Sequence, residues 1–224
     1  MKRAVLLDVD GVILRSPRPL ARVANNCSKY VAQKLGVTAP NAERVNKVLY
    51  KSFGHTLLGL RQMYGIRATT LDFANEVYDA ETMAELKLAV RSDPDFECHA
   101  AAARALFIRC QNADVPVYLF SNAPSLWCAT VAHMKDLDIF GFREENIIGC
   151  GMALKPEHEA YARAEKIVGD ADEIIFVDDS LSNITPVLGR KRWKPVHFAP
   201  DLKKHPDLES PKISTLRNLG DLPI

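Results

Sequence analysis

Hydrophobic positions change their spacing several times along this chain. Ala4-Val5-Leu6-Leu7 is an unbroken apolar run that ends on Asp8, the mark of a strand buried on both faces. Asp10-Gly11 breaks it. From about Arg15 to about Ser92 the apolar residues recur at helical spacing. They do so at 21–24 and at 30–35, with Gly36 as a stop, and then over 41–50, 57–64 and 71–78. No convincing strand occurs in this stretch. After Asp93-Pro94 the pattern alternates: a helix over 99–112, a strand over 115–120, a helix over 124–137 and a weaker strand over 146–149. A helix over 156–168, a strand over 173–177, a short helix over 183–188, a strand over 196–198 and a helix over 213–219 complete it.

Strands that alternate with helices predict an α/β fold, a Rossmann-like parallel sheet core with helices on both faces. The first strand is separated from the rest by an all-helical insertion. The expected organisation is therefore a core of residues 1–15 and 93–224 with an inserted helical lobe over 16–92. A chain of 224 residues with 47% hydrophobic and 25% charged residues can bury such a core without staples.

Charge and cysteine usage narrow the partners. The formal net charge of +1 gives the whole chain little attraction for nucleic acid or anionic membrane. The one basic run, Arg190-Lys191-Arg192-Trp193-Lys194, lies between a predicted helix and a strand and reads as a solvated loop, so no nucleic-acid partner is expected. No apolar stretch reaches membrane length, and Asp8 and Asp10 cut the first run too early for a secretory leader. The five cysteines are scattered, without a Cys-x-x-Cys pair, as expected of reduced thiols in a cytoplasmic protein.

Four polar clusters sit after predicted strands or beside them: Asp8-Val9-Asp10-Gly11-Val12, Ser121-Asn122, Lys155-Pro156 and Asp178-Asp179-Ser180, with Asn183 a turn later. In an open parallel sheet ligands bind outside the carboxyl ends of the strands, so distant clusters can converge there. Asp8, Asp10, Asp178 and Asp179 in one crevice would oppose one another's ionisation, and a divalent cation relieves that. A set of hard oxygens suits Mg²⁺. Acids, metal, Lys155 and the Ser121 hydroxyl together suit a phosphoryl group. Strand alternation sends Asp8 and Asp10 to the same side, so one can attack phosphorus while the other handles a proton. Each cluster alone has a plainer explanation: a calcium loop for Asp-x-Asp-Gly, a helix cap for Ser121-Asn122, a surface turn for Lys155-Pro156. Their order and their strands make the set specific.

In these four motifs the sequence resembles the haloacid dehalogenase (HAD) superfamily, over essentially the whole chain. The resemblance implies that Asp8 is the nucleophile and Asp10 the general acid and base. It implies that Ser121, Asn122 and Lys155 hold the phosphate. It implies Mg²⁺ bound by Asp8, the Asp10 backbone carbonyl, Asp178 and Asp179, with residues 16–92 as the family's cap. The segments 50–60 and 176–184 resemble pyrimidine 5′-nucleotidase-like members, which implies a nucleoside 5′-monophosphate as substrate, with Phe53 and His55 as candidate contacts. A sugar-phosphate phosphatase or phosphomutase is the alternative on the same core. A dehalogenase, a phosphonate hydrolase and a signalling receiver fit these residues less well, and a non-catalytic binding module would show no metal-dependent turnover.

Overall fold

The computed structural model describes residues 1–133, 143–151, 153–201 and 212–224. Six parallel strands form one sheet: β1 (Arg3–Leu7), β2 (Val117–Phe120), β3 (Ile147–Ile148), β4 (Glu173–Asp178), β5 (Trp193–Phe198) and β6 (Ser214–Leu216). Their order across the sheet is β3-β2-β1-β4-β5-β6. The chain thus leaves β1 in one direction and returns to its other side at β4, so the order reverses at β1.

The apolar run at the start of the chain explains why β1 is central. Val5, Leu7 and Val9 enter one hydrophobic cluster, and Ala4 and Leu6 enter the cluster on the opposite face. β4 divides the same way, Ile175 and Val177 on one side and Ile174 and Phe176 on the other. Leu6, Leu7, Phe176 and Val177 are fully buried, each contributing about 1.5–3 kcal/mol.

Between β1 and the rest of the sheet lie five helices: α1 (Pro17–Leu35), α2 (Ala39–Phe53), α3 (Thr56–Tyr64), α4 (Thr70–Val77) and α5 (Ala80–Ser92). α1 stops at Gly36, in the left-handed region at φ 65, as the sequence predicts. α1 to α4 pack around a cluster of their own that includes Tyr30, Leu49, Leu57, Leu60 and Phe73. α5 differs, because its Leu86 enters the cluster on the sheet. The remaining helices are α6 (Pro94–Asn112), α7 (Ser125–Ala132), α8 (His158–Val168) and α9 (Leu181–Ile184), the last followed by a 3₁₀ turn over Thr185–Gly189. Among the described residues no helix is long and apolar enough to cross a membrane.

Three expectations change. α6 starts at Pro94 rather than at residue 99, because Asp93 caps it by accepting from Asp95 N and proline suits the first helical position. Residues 213–219 do not form a helix: Ser214–Leu216 is the edge strand β6, paired with β5, and a 3₁₀ turn follows over Leu219–Asp221. The basic run is only in part a loop: residues 190–192 form the turn before β5, with Lys191 exposed. Trp193 and Lys194 belong to β5, and the Trp193 indole donates to Glu165 at 2.6 Å. Arg190 binds Glu165 and lies over Tyr161, and Arg192 donates to the carbonyls of Gly169 and Ala171. The expected helix over 124–137 is present to Ala132, and residues 134–137 lie outside the described residues.

Candidate active site

The four clusters meet where the strand order reverses. Asp8 follows β1, Ser121 follows β2 and Asp178 ends β4. Asp8 N donates to Val177 O at 2.9 Å, which keeps the chain in register with β4 to the edge of the site. Its carboxylate accepts from Val9 N at 2.7 Å, and Lys155 Nζ lies 3.2 Å from Oδ1. The Lys155 ammonium is 1% exposed and is saturated: it donates to Phe120 O at 2.8 Å and to Asp178 Oδ2 at 2.6 Å as well. It therefore lies beneath the acids rather than on a cavity wall, and its charge reaches the site through Asp8 and Asp178.

Asp178 is held from every side. Ser180 N donates to Oδ1 at 2.9 Å, and Asn183 Nδ2 lies 3.1 Å from both oxygens. The Asn122 amide is used on main chain: Nδ2 donates to Lys155 O at 2.8 Å, and Oδ1 accepts from Lys155 N at 2.7 Å. Asn122 thus fixes the Lys155 main chain, and it also lines the cavity with a second amide N–H that these two bonds do not use. Ser121 does not cap α7, which begins after Pro124; its hydroxyl accepts from Ala123 N at 3.1 Å.

One carboxylate oxygen from each of Asp8, Asp178 and Asp179 lies within 4.8 Å of the others. Burial pushes the Asp8 carboxyl well above the usual range; Lys155 opposes this, and Asp178, Asp179 and Asp10 add to it. Asp10 is raised to about 6 by burial, against a hydrogen bond from the Trp127 indole. Four acids face one ammonium, and a divalent cation among the three clustered carboxylates would reverse this repulsion. Gly11 makes room for the third of them. Its φ is +83, and an added Cβ would sit 2.1 Å from Asp179 Oδ2. The donor set, hard oxygens on three sides, fits Mg²⁺.

Above the acids is a cavity of about 430 Å³, walled by the core and by α1 to α4, a size that suits a small metabolite. Asp8, Asp10, Ser121 and Asp179 line it from below, and Tyr50, His55, Phe73 and Tyr78 from the helical side. His55 caps α3: its Nδ1 accepts from Leu57 N at 3.2 Å. Burial, helped by Arg61, lowers its pKa to about 4. The ring is therefore neutral, with the proton on Nε2. Phe53 does not line the cavity; it packs in the cluster of α1 to α4, next to Gly59.

In the sequence, Trp127 reads equally as crevice lining or helix packing, Tyr78 as cap core rather than a stacking platform, and His197 as an ordinary strand position. His197 Nε2 lies 3.1 Å from the Asp179 carbonyl and so supports the acidic turn from β5. An indole in an otherwise small-residue helix after Ser121 was the one available signal for Trp127.

The model of one family, the haloacid dehalogenase-like hydrolases, matches residues 2–186. The chain belongs to this family. Solved structures agree on the fold. A HAD hydrolase of family IA, variant 3, from Entamoeba histolytica superposes with a TM-score of 0.64 at 16% identity, over 100% of this chain and 96% of that one. CbbY from Rhodobacter sphaeroides, a mutant in complex with xylulose-(1,5)bisphosphate, gives 0.61 at 14% identity over 99% and 96%. YfnB from Bacillus subtilis, bound to magnesium, gives 0.55 at 17% over 97% and 95%. No curated protein sequence matches the chain. The protein is thus a HAD-like hydrolase with the family's Rossmann-like fold.

Proposed function

We propose that this HAD-like hydrolase is a Mg²⁺-dependent phosphomonoesterase acting through an aspartyl-phosphate on Asp8. One observation carries the reading: Asp8 lies on the floor of the cavity, held by Lys155 at 3.2 Å and grouped with Asp178 and Asp179 within 4.8 Å. An Asp8 oxygen attacks phosphorus, the bond from phosphorus to the ester oxygen breaks, and Asp10 protonates the departing alkoxide. Asp10 then takes a proton from water as that water attacks the phosphoryl group. The bond to Asp8 breaks, and inorganic phosphate leaves. Asp8, Asp178, Asp179 and the Asp10 carbonyl would hold Mg²⁺, which when bound neutralises charge on the phosphoryl oxygens. Ser121 supplies a hydroxyl to the same group, and Lys155 offsets the charge of the nucleophile from below.

Residues 16–92 act in this reading as a cap that closes over the core of 1–15 and 93–224. We assign a nucleoside 5′-monophosphate as substrate. The aromatic walls at Tyr50, Phe73 and Tyr78 suit a base, and the neutral His55 offers an Nε2–H donor. A mutase passing through a bisphosphate would need a second group of cations. Among the described lining residues the helical wall offers Lys47 alone, already paired with Glu43 at 2.6 Å. The free cysteines support a cytoplasmic setting for this enzyme. A phosphate-release screen over nucleotides, sugar phosphates and small esters, with and without Mg²⁺, tests all of this. Preferred, Mg²⁺-dependent release from nucleoside monophosphates is the expected result. Release that persists in chelator, or an isomerised sugar phosphate as product, would overturn it.

A further inference from the structure

Trp127 is the largest fully buried side chain among the described residues, and its one polar atom points at the site. The indole Nε1 donates to Asp10 Oδ1 at 2.8 Å. α7 carries the ring beneath the crevice, and Tyr78 from the end of α4 meets it edge-on, centroids 5.1 Å apart at 71°. Asp10 itself sits in a turn closed by Gly11 N to Leu14 O and by Ile13 N to Val9 O, both 2.9 Å. The turn fixes its backbone and leaves its carboxylate to rotate. Among the described residues no other side chain hydrogen-bonds that carboxylate.

An indole N–H can donate and cannot accept. Oδ1 is therefore engaged as an acceptor, which favours Oδ2 as the oxygen that carries a proton on Asp10, and Asp10 lines the cavity. We propose that Trp127 is a positioning residue for proton transfer: it fixes the Asp10 carboxylate so that Oδ2 gives its proton to the departing ester oxygen and later takes one from the attacking water. The inference rests on the proposed role of Asp10 as acid and base. Packing on every side of the ring leaves the donor no alternative direction, so orientation costs no ordering at the moment of reaction.

The test separates proton delivery from simple packing by the leaving group. Phenyl phosphate and p-nitrophenyl phosphate have nearly the same shape, but phenolate needs a proton far more than nitrophenolate does. Trp127→Phe keeps most of the ring and deletes the N–H. We expect kcat/KM on phenyl phosphate to fall about 10²-fold, with a loss of at most about fivefold on p-nitrophenyl phosphate, the size of effect that a positioned acid supplies. Trp127→His, which keeps a ring donor, should recover part of the loss on phenyl phosphate alone. Equal losses on both esters, or none on either, would overturn the inference. Asp10→Asn measured beside it tests the underlying reading: if that variant shows no leaving-group dependence, the acid–base role itself falls. Should Trp127→Phe fold poorly, the wild-type indole N–H resonances decide the matter. The chain has two tryptophans. Asp10→Asn should shift the Trp127 signal and leave Trp193 in place; an unmoved Trp127 signal overturns the proposal.

Discussion

Replacing Gly11 by alanine should disable the site while leaving the fold largely intact. The backbone term is modest: φ at Gly11 is +83, and an L-residue in the left-handed region costs about 1–2 kcal/mol. The contact term is larger in consequence. The new Cβ would lie 2.1 Å from Asp179 Oδ2 and 2.5 Å from its Cγ, whereas ordinary contact begins near 3.4 Å. The carboxylate must therefore retreat by more than an ångström. Asp179 is solvent-exposed, so it can swing away without breaking the core. A catalytic group misplaced by about 1 Å costs on the order of 10²-fold in rate. We expect kcat/KM to fall by about that factor, with a higher Mg²⁺ requirement, and urea unfolding to show a loss of about 1–2 kcal/mol. Gly36→Ala is the control. Its φ of +65 carries a similar backbone cost, and nothing lies within 4 Å of its added Cβ, so its turnover should be unchanged. Wild-type turnover at wild-type Mg²⁺ by Gly11→Ala would refute the reasoning. Global unfolding of that variant would refute it too, because it would place the need for glycine in the fold.

Three further outcomes follow from the geometry. Lys155→Met leaves Asp8 and Asp178 buried without their cation, and urea titration should show a loss of about 3–5 kcal/mol together with loss of turnover. A variant as stable as the parent would contradict the ion-pair assignment. His55 has a folded pKa of about 4, below an unfolded value of about 6.5, so the unfolded chain binds more protons between the two. Its contribution is complete above about pH 6.5 and is lost as pH falls toward 4, on the order of 2–3 kcal/mol. His55→Asn, which keeps an acceptor for the cap, should therefore lose less stability than the parent between pH 7 and pH 5; equal losses would contradict this. Gly59→Ala should gain about 1 kcal/mol by helix propensity, yet its Cβ would meet Leu49 at 2.7 Å and Phe53 at 2.9 Å. Overpacking costs about 1–3 kcal/mol, so a lower thermal midpoint is expected, and a raised one would show that α2 and α3 can part.

The parts of the fold legible in the sequence were those with one dominant signal. Continuous apolar runs marked β1 and β4, because a strand buried on both faces has no polar side to confuse it. β6 was illegible for the opposite reason. Ile213, Leu216 and Leu219 are spaced like one face of a helix, and only pairing with β5 makes Ser214–Leu216 a strand. Asp93-Pro94 reads as a boundary in the sequence, and in the structure its residues are the cap and first turn of α6. The grouping of Asp8, Asp178 and Asp179 was legible from their places after strands, and that of Lys155 with them from its motif before a helix. What each touches was not. The pairing of the Asn122 amide with Lys155 main chain and of the Trp127 indole with Asp10 joins residues 33 and 117 positions apart. Such contacts are products of packing, and no local pattern encodes them.

The central claim is that Asp8 becomes covalently phosphorylated, and it can be observed directly. The protein is mixed with Mg²⁺ and excess p-nitrophenyl phosphate, quenched in acid during turnover and digested, and the peptide containing Asp8 is weighed. The account predicts that this peptide gains one phosphoryl group during turnover, loses it when substrate is exhausted, and never gains it in Asp8→Asn. Steady phosphate release with no phosphorylated Asp8 peptide, or turnover by Asp8→Asn at the wild-type rate, would contradict it.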